Sequence, residues 1–274
     1  MENAALLFNF NSRGHKLFNR LSMIKNKLNK SFKIDIFSYK DNFDLTHILL
    51  SKRYKNIFLC GGDGSFSSFI NLVIKLNLEN DLNIGYFPLG TMNDCLKMYG
   101  ISSINKSIKY IKENCVVKAR LGKCEDIYFT YVVALGAYSD ISYRCDHQKK
   151  KIFGRFAYYF LALKECFKKQ LDTFIINGKK YESPFVMVML GSHIGGFKVN
   201  KYPSNDSLKI FITPKGLFNG LLHYIFRKKL LIESCNEIII KHQNPLQCVD
   251  GEFFCSLTTR IVLSDKKISI FGKI

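Results

Sequence analysis

The sequence is most easily bounded by what it lacks. It has no tryptophan. No apolar run approaches the roughly 18 residues that a membrane-spanning helix requires. The start, MENAALLFNFNS, carries no positive leader ahead of an apolar segment, so no signal peptide is expected. Nine cysteines make an odd count, and none form a CxxC pair, which argues against a zinc ribbon or disulfide framework and for reduced thiols in a cytosol. Acids are scarce: 22 Asp and Glu stand against 41 Lys and Arg, a formal net charge of +19. Such a field favours polyanionic partners such as anionic lipid surfaces or nucleotides. Of the basic residues 33 are lysine and 8 arginine. With no arginine-rich stripe or known module, nucleic acid is not expected as a partner. AT-rich coding also produces a lysine-, asparagine- and phenylalanine-rich chain, which lowers the weight of the charge. What remains is 274 residues with 47% hydrophobic content, enough for a large core in one or two domains.

The most informative stretch is IFLCGGDGSFSSFINLVIKL, starting at Ile57. Ile57–Cys60 suits a short buried strand. Gly61, Gly62 and Gly64 remove Cβ atoms where that strand ends, so the backbone can turn tightly or meet a ligand closely. Ser65 and Ser67 are candidate caps. Phe66, Phe69, Ile70, Val73 and Ile74 recur at helical spacing. Strand, glycine turn, helix receives phosphate, because the first helical turn presents unpaired N–H groups and partial positive charge. An ordinary tight βα turn is the alternative.

The same alternation runs through the first 118 residues. Strands are expected at 4–9, 33–38, 57–60 and 83–87, and helices at 15–30, 46–52, 66–78 and 104–114. This pattern implies a parallel sheet with helices on both faces, and loops 61–64 and 90–94 then follow strand ends at one sheet edge. From about Val117 the pattern turns to strands, at 128–135, 173–177, 185–190, 208–213, 236–241, 246–249 and 260–263, with helices at 153–169 and 216–229. The expected fold is therefore α/β: a Rossmann-like nucleotide domain over 1–118, of the phosphofructokinase and NAD-kinase kind, and a mainly antiparallel β-sandwich domain over 119–274.

Three separated segments need one explanation: Gly61-Gly62-Asp63-Gly64-Ser65, Gly90-Thr91-Met92-Asn93-Asp94 and Asp250-Gly251-Glu252. In this order they resemble the diacylglycerol kinase family of lipid kinases, in particular its small bacterial members. Asn9-Phe10-Asn11-Ser12-Arg13-Gly14 resembles that family's first phosphate loop, an NPxSG-type motif. Gly191–Gly196 and Pro203–Leu208 resemble its later GG segment and P-x-x-D-G turn.

The resemblance implies ATP and Mg²⁺ as cofactors and a lipid alcohol, diacylglycerol or a relative, as substrate. It assigns nucleotide contacts to Asn9, Asn11, Ser12, Arg13, Gly14, Ser38, Gly61, Gly62, Asp63, Gly64, Ser65, Thr91 and Asn93. Asp63 and Asp94 stand on neighbouring loops, where they would repel phosphate unless a cation or ordered water lies between; a helix N-cap is the alternative for Asp94. Glu252 matches the family's general base for the lipid hydroxyl, with Asp250 beside it in the catalytic group. By its residues alone, DGE is also an ordinary hairpin turn. Asp206 matches the acid of a loop that can hold a structural metal. The chain departs from the family at Phe10 (for proline), Ser65 (for threonine), Cys95-Leu96-Lys97, Tyr131 (for asparagine) and Ser207 (for glycine). Segments 149–169 and 216–229 mix lysines with large apolar residues and suit either an anionic interface or the chain's own core. The expected setting is the cytoplasm, peripherally on the inner face of the membrane, with homodimer formation open. The competing readings are an NAD kinase-like enzyme and a catalytically silent lipid- or nucleotide-binding module.

Overall fold

The computed structural model describes residues 1–10, 15–51, 53–136, 171–199, 203–213 and 230–273. The expected helices 153–169 and 216–229 and the loop residues Asn11, Ser12, Arg13 and Gly14 lie outside the described residues. The chain forms two compact units, Met1–Ala119 with Lys266–Ile274, and Arg120–Asp265.

The first unit alternates β1 (Glu2–Asn9), α1 (His15–Leu28), β2 (Phe32–Tyr39), α2 (Asn42–Leu50), β3 (Asn56–Gly61), α3 (Asp63–Lys75), β4 (Asn83–Pro88) and α4 (Ile104–Lys112), and ends in the first residues of β5 (Val116–Cys124). Its strands run in the order β2-β1-β3-β4, all parallel. Every residue of β3 is buried, as befits a parallel strand covered on both faces. Helix α1 contributes Leu17, Leu21, Ile24 and Leu28, spaced along one stripe, to a core with Leu6, Ile34, Phe58, Phe87, Ile108, Ile111 and Phe271.

Two helices start earlier than their apolar spacing predicts. Asp41 caps α2 by accepting from the N–H groups of Phe43 and Asp44. Helix α3 opens at Asp63 directly on Gly62, which makes no side-chain cap bond. Ser65 and Ser67 therefore lie inside the helix and do not cap it, which corrects the sequence expectation.

The second unit continues with β6 (Ile127–Phe129), β7 (Val132–Gly136), β8 (Asp172–Ile176), β9 (Lys179–Ser183), β10 (Phe185–Met189), β11 (His193–Ile194), β12 (Phe197–Lys198), β13 (Leu208–Ile212), β14 (Leu230–Cys235), β15 (Glu237–His242), β16 (Leu246–Val249), β17 (Glu252–Cys255) and β18 (Thr258–Phe271). One sheet runs β14-β13-β10-β7-β16-β17. In the other, β15 pairs antiparallel with the first half of β18 and with β8, and β8 with β9. Val133, Leu135, Val186, Val188 and Ile210 of one sheet share a core with Phe174, Ile238, Ile240 and Ile261 of the other, the packing of a β-sandwich. An α/β unit and an antiparallel sandwich are the fold class that the sequence implied.

The tail beyond Asp265 differs from its expected place in the second domain. Ser269 and Ile270 pair in parallel with Asn83 and Ile84 of β4, and the N–H of Lys273 donates to the Tyr99 carbonyl. Main-chain hydrogen bonds thus tie it to the first unit. Among the described residues no helix is long and apolar enough to cross a membrane.

Candidate active site

Because β1 to β4 are parallel, their carboxyl ends at Asn9, Tyr39, Gly61 and Pro88 lie along one edge. The chain runs from β1 outward to β2 and returns past β1 to β3, so the strand order reverses between β1 and β3. Open α/β sheets bind ligands at such a reversal. Asn9 and Ser38, the latter exposed and paired in register with Phe8, the GGDGS turn and the GTMND loop all come to this edge.

The two glycine loops touch. A Cβ on Gly90 would stand 2.5 Å from Gly62 Cα and 2.8 Å from Asn93 Oδ1, so only glycine permits this approach. The Gly61 carbonyl accepts from the N–H of Leu89 (2.8 Å), the N–H of Gly90 (3.1 Å) and the Tyr86 hydroxyl (3.0 Å). Asn93 sits in the left-handed region at φ 54° and clamps Gly90 from both sides. Its Oδ1 accepts from Gly90 N–H at 2.9 Å, and its Nδ2 donates to Gly90 O at 2.5 Å. Ser65, in the first turn of α3, has its side chain in hydrogen-bond reach of the phenol of buried Tyr39. The first turn of α3 has no side-chain cap, so its leading N–H groups remain available to an anion at this edge.

Both acids of these loops are engaged. Asp63 Oδ1 accepts from Cys95 N–H at 2.9 Å. Burial pushes the Asp63 carboxyl above its usual range; the N–H groups of Cys95 and Asp94 and the Cys95 thiol oppose that rise, and the Asp94 charge adds to it. Asp94 is 2% exposed and pairs with Lys97 Nζ at 2.6 Å. It caps no helix, since the short 3₁₀ turn that follows, Lys97–Tyr99, has Leu96 at its cap position. With both carboxylates so held, they fit a cation reached through water or through phosphate oxygens better than one ligated directly.

In the second unit Asp250 and Gly251 of the DGE segment form the two-residue turn of the β16–β17 hairpin. Asp250 (φ 49°) and Gly251 (φ 93°) are both left-handed, and Val249 pairs with Glu252, the mark of a type I′ hairpin. Asp250 is fully buried. Its Oδ2 accepts from the N–H and hydroxyl of Thr130 at 2.5 and 2.8 Å, and its Oδ1 from the N–H groups of Tyr131 and Val132 at 3.0 and 3.1 Å. Burial pushes its carboxyl up to about 6, held from rising further by these four donors. Asp250 is therefore an anchor for the turn, while Glu252 is exposed at the start of β17.

Tyr131 supports this turn and the next. Its carbonyl accepts from the N–H groups of Leu190 and Gly191, both at 3.0 Å. A Cβ on Gly191 would stand 2.5 Å from Tyr131 Cβ, and one on Gly251 would lie 3.8 Å from its hydroxyl. In the neighbouring GSHIGG segment, Ser192 Oγ and His193 Nδ1 are 2.7 Å apart. Asp206 is exposed, and its N–H donates to Ser204 Oγ at 3.0 Å. Among the described residues no three His, Cys, Asp or Glu side chains converge on a metal position.

Sequence reasoning missed Tyr86 and Thr130. A tyrosine in the buried strand NIGYFP was a usable signal, since a buried phenol needs a partner. Thr130 carried none, because only the folded chain brings it under Asp250.

Residues 3–124 match the family model of the diacylglycerol kinase catalytic domain. A Staphylococcus carnosus protein provisionally classed as a lipid kinase is 30% identical over 186 residues, 65% of this chain; the match spans 60% of that relative's length. The diacylglycerol kinase of the same organism is 27% identical over 98% of this chain and 94% of its own. A solved Bacillus anthracis structure, called a diacylglycerol kinase, superposes with a TM-score of 0.78 at 20% identity, over 99% of this chain and 97% of that one, a likeness of fold. The chain thus carries a match to the diacylglycerol kinase catalytic domain in its first half and is similar to a diacylglycerol kinase along nearly its whole length.

Proposed function

We propose that the chain is an ATP- and Mg²⁺-dependent lipid kinase that phosphorylates the hydroxyl of diacylglycerol or a related lipid alcohol. The observation that carries this reading is the contact of Gly62 with Gly90 beside the uncapped start of α3. Two glycine loops and a helix N-terminus at a strand-order reversal suit a polyphosphate. Asn9, Asn11, Ser12, Arg13, Gly14, Ser38, Gly61, Gly62, Gly64, Ser65, Thr91 and Asn93 would bind the nucleotide. Asp63 and Asp94 would hold Mg²⁺ through water or through ATP's own oxygens, which neutralises phosphate charge.

In the transfer, the lipid hydroxyl oxygen forms a bond to the γ-phosphorus while the bond to the β–γ bridging oxygen breaks, and ADP leaves. Glu252 takes the hydroxyl proton. Its exposure leaves it open to a substrate hydroxyl, and Asp250 holds the turn that carries it. The net charge of +19 supports salt-sensitive peripheral attachment to an anionic membrane, with the cytoplasmic face as its setting.

The test is incubation of pure protein with γ-labelled ATP, Mg²⁺, NAD and vesicles of diacylglycerol and other lipid alcohols. Label is expected in the lipid phase. Label in NAD would make it an NAD kinase, and ATP binding without transfer would leave a silent binding module.

A further inference from the structure

Tyr86 lies 1% exposed in the middle of β4, with its ring edge-on to Phe66 of α3 at 5.1 Å between centroids. Its hydroxyl faces polar atoms from both glycine loops. Oη is 3.0 Å from the Gly61 carbonyl and 3.3 Å from Asn93 Oδ1, and the Cys95 thiol is a third hydrogen-bond neighbour. Gly61 closes β3 and opens the GGDG turn; Asn93 and Cys95 belong to the second loop. Asn93 in turn grips Gly90 by its N–H and its carbonyl, and Gly90 rests against Gly62. One hydroxyl thus sits at the root of a contact chain that ends at the first turn of α3. The backbone bonds from Leu89 and Gly90 to Gly61 hold the loops together without it, and the Gly90 N–H also reaches Asn93 Oδ1; the Tyr86 hydroxyl is the side-chain group that stands against both the Gly61 carbonyl and Asn93 Oδ1.

We propose that the Tyr86 hydroxyl is a positioning group that sets the spacing of the two phosphate-receiving loops, so that nucleotide affinity depends on it although it touches no nucleotide. The inference rests on the reading of these loops as the ATP site and deepens it. Tyr86→Phe keeps the ring on Phe66 and removes the tether alone. One hydrogen bond of ordinary strength corresponds to roughly a three- to tenfold change in affinity. Both Kd and KM for Mg-ATP should rise by that factor, with kcat within about twofold of wild type.

Asn93→Ala should weaken ATP binding in the same direction. The double variant should be little worse than the worse single one, because both changes cut one chain of contacts. Amide exchange at Gly62–Ser65 should quicken in Tyr86→Phe while the melting temperature moves little, which separates loop spacing from general stability.

Titration of each protein with Mg-ATP, without lipid, is the deciding experiment. Wild-type binding with equal binding by Tyr86→Phe overturns the role of Tyr86 and leaves the ATP site standing. A loss that falls on kcat alone, or additive effects of the two substitutions, overturns it as well. Failure of the wild-type protein to bind ATP would sink both readings.

Discussion

The two units use glycine for opposite reasons. In the first, Gly62 has an extended backbone, φ −104°, which any residue adopts; its value is the absent Cβ that lets Gly90 come within contact. In the second, Gly251 has φ 93° and a Cβ there would meet only the Tyr131 hydroxyl, at an ordinary 3.8 Å; its value is conformational. The acids divide in the same manner. Asp63, Asp94 and Asp250 are all tied by hydrogen bonds or an ion pair, and Glu252 alone of the four is exposed. Close approach and buried carboxylates build the frame, and on the proposed function the exposed carboxylate is the one left for chemistry.

The largest effect expected from breaking this contrast is at Asp250. Asp250→Ala strands three N–H groups and a hydroxyl that now share one carboxylate, a cost on the order of 3–5 kcal/mol. A fall in urea midpoint of corresponding size would be measured, and a change below about 1 kcal/mol would contradict the anchor role. Lys97→Met comes next. It leaves the buried Asp94 carboxylate without its cation and should cost roughly 3 kcal/mol, while Asp94→Asn with Lys97→Met should recover much of the loss. Additive destabilisation would refute the pairing.

The glycines sharpen the comparison further. Gly251→Ala should cost about 1–2 kcal/mol from left-handed strain and spare ATP binding. Gly90→Ala should weaken ATP binding in excess of its effect on stability, because its new Cβ meets Gly62 Cα at 2.5 Å. Equal profiles for the two variants would erase the distinction.

The smallest effect is in pH. Burial lowers the His242 pKa below 6.5, and a backbone contact at Asn244 and the Asp172 charge oppose this. The unfolded chain then binds the proton more readily than the folded one, so stability is lost as pH falls through about 6.5. The melting temperature should drop between pH 8 and pH 5.5, and the drop should be shallower in His242→Phe. Parallel slopes would argue against it.

The parallel sheet was legible because each of its apolar runs, such as Ile57–Cys60, is bounded by turn residues. Helix starts were less so. Asp63-Gly64-Ser65 does not look helical, yet α3 begins there, since the helix opens on an extended glycine instead of a side-chain cap. The DGE turn was readable as a hairpin, but the burial of Asp250 was not. Its partners lie 118 to 120 residues away, and only the pairing of β7 with β16 brings them under the turn. The late half of β18 was missed because its pairing partner, β4, belongs to the first unit.

The central claim is that Glu252 accepts the proton of the attacking lipid hydroxyl, while the glycine loops hold ATP independently of it. Glu252→Gln keeps the shape of the side chain and removes the base. The account predicts that transfer of γ-phosphate to diacylglycerol falls by about two or more orders of magnitude while the Kd for Mg-ATP stays at the wild-type value. Wild-type transfer by Glu252→Gln would contradict it.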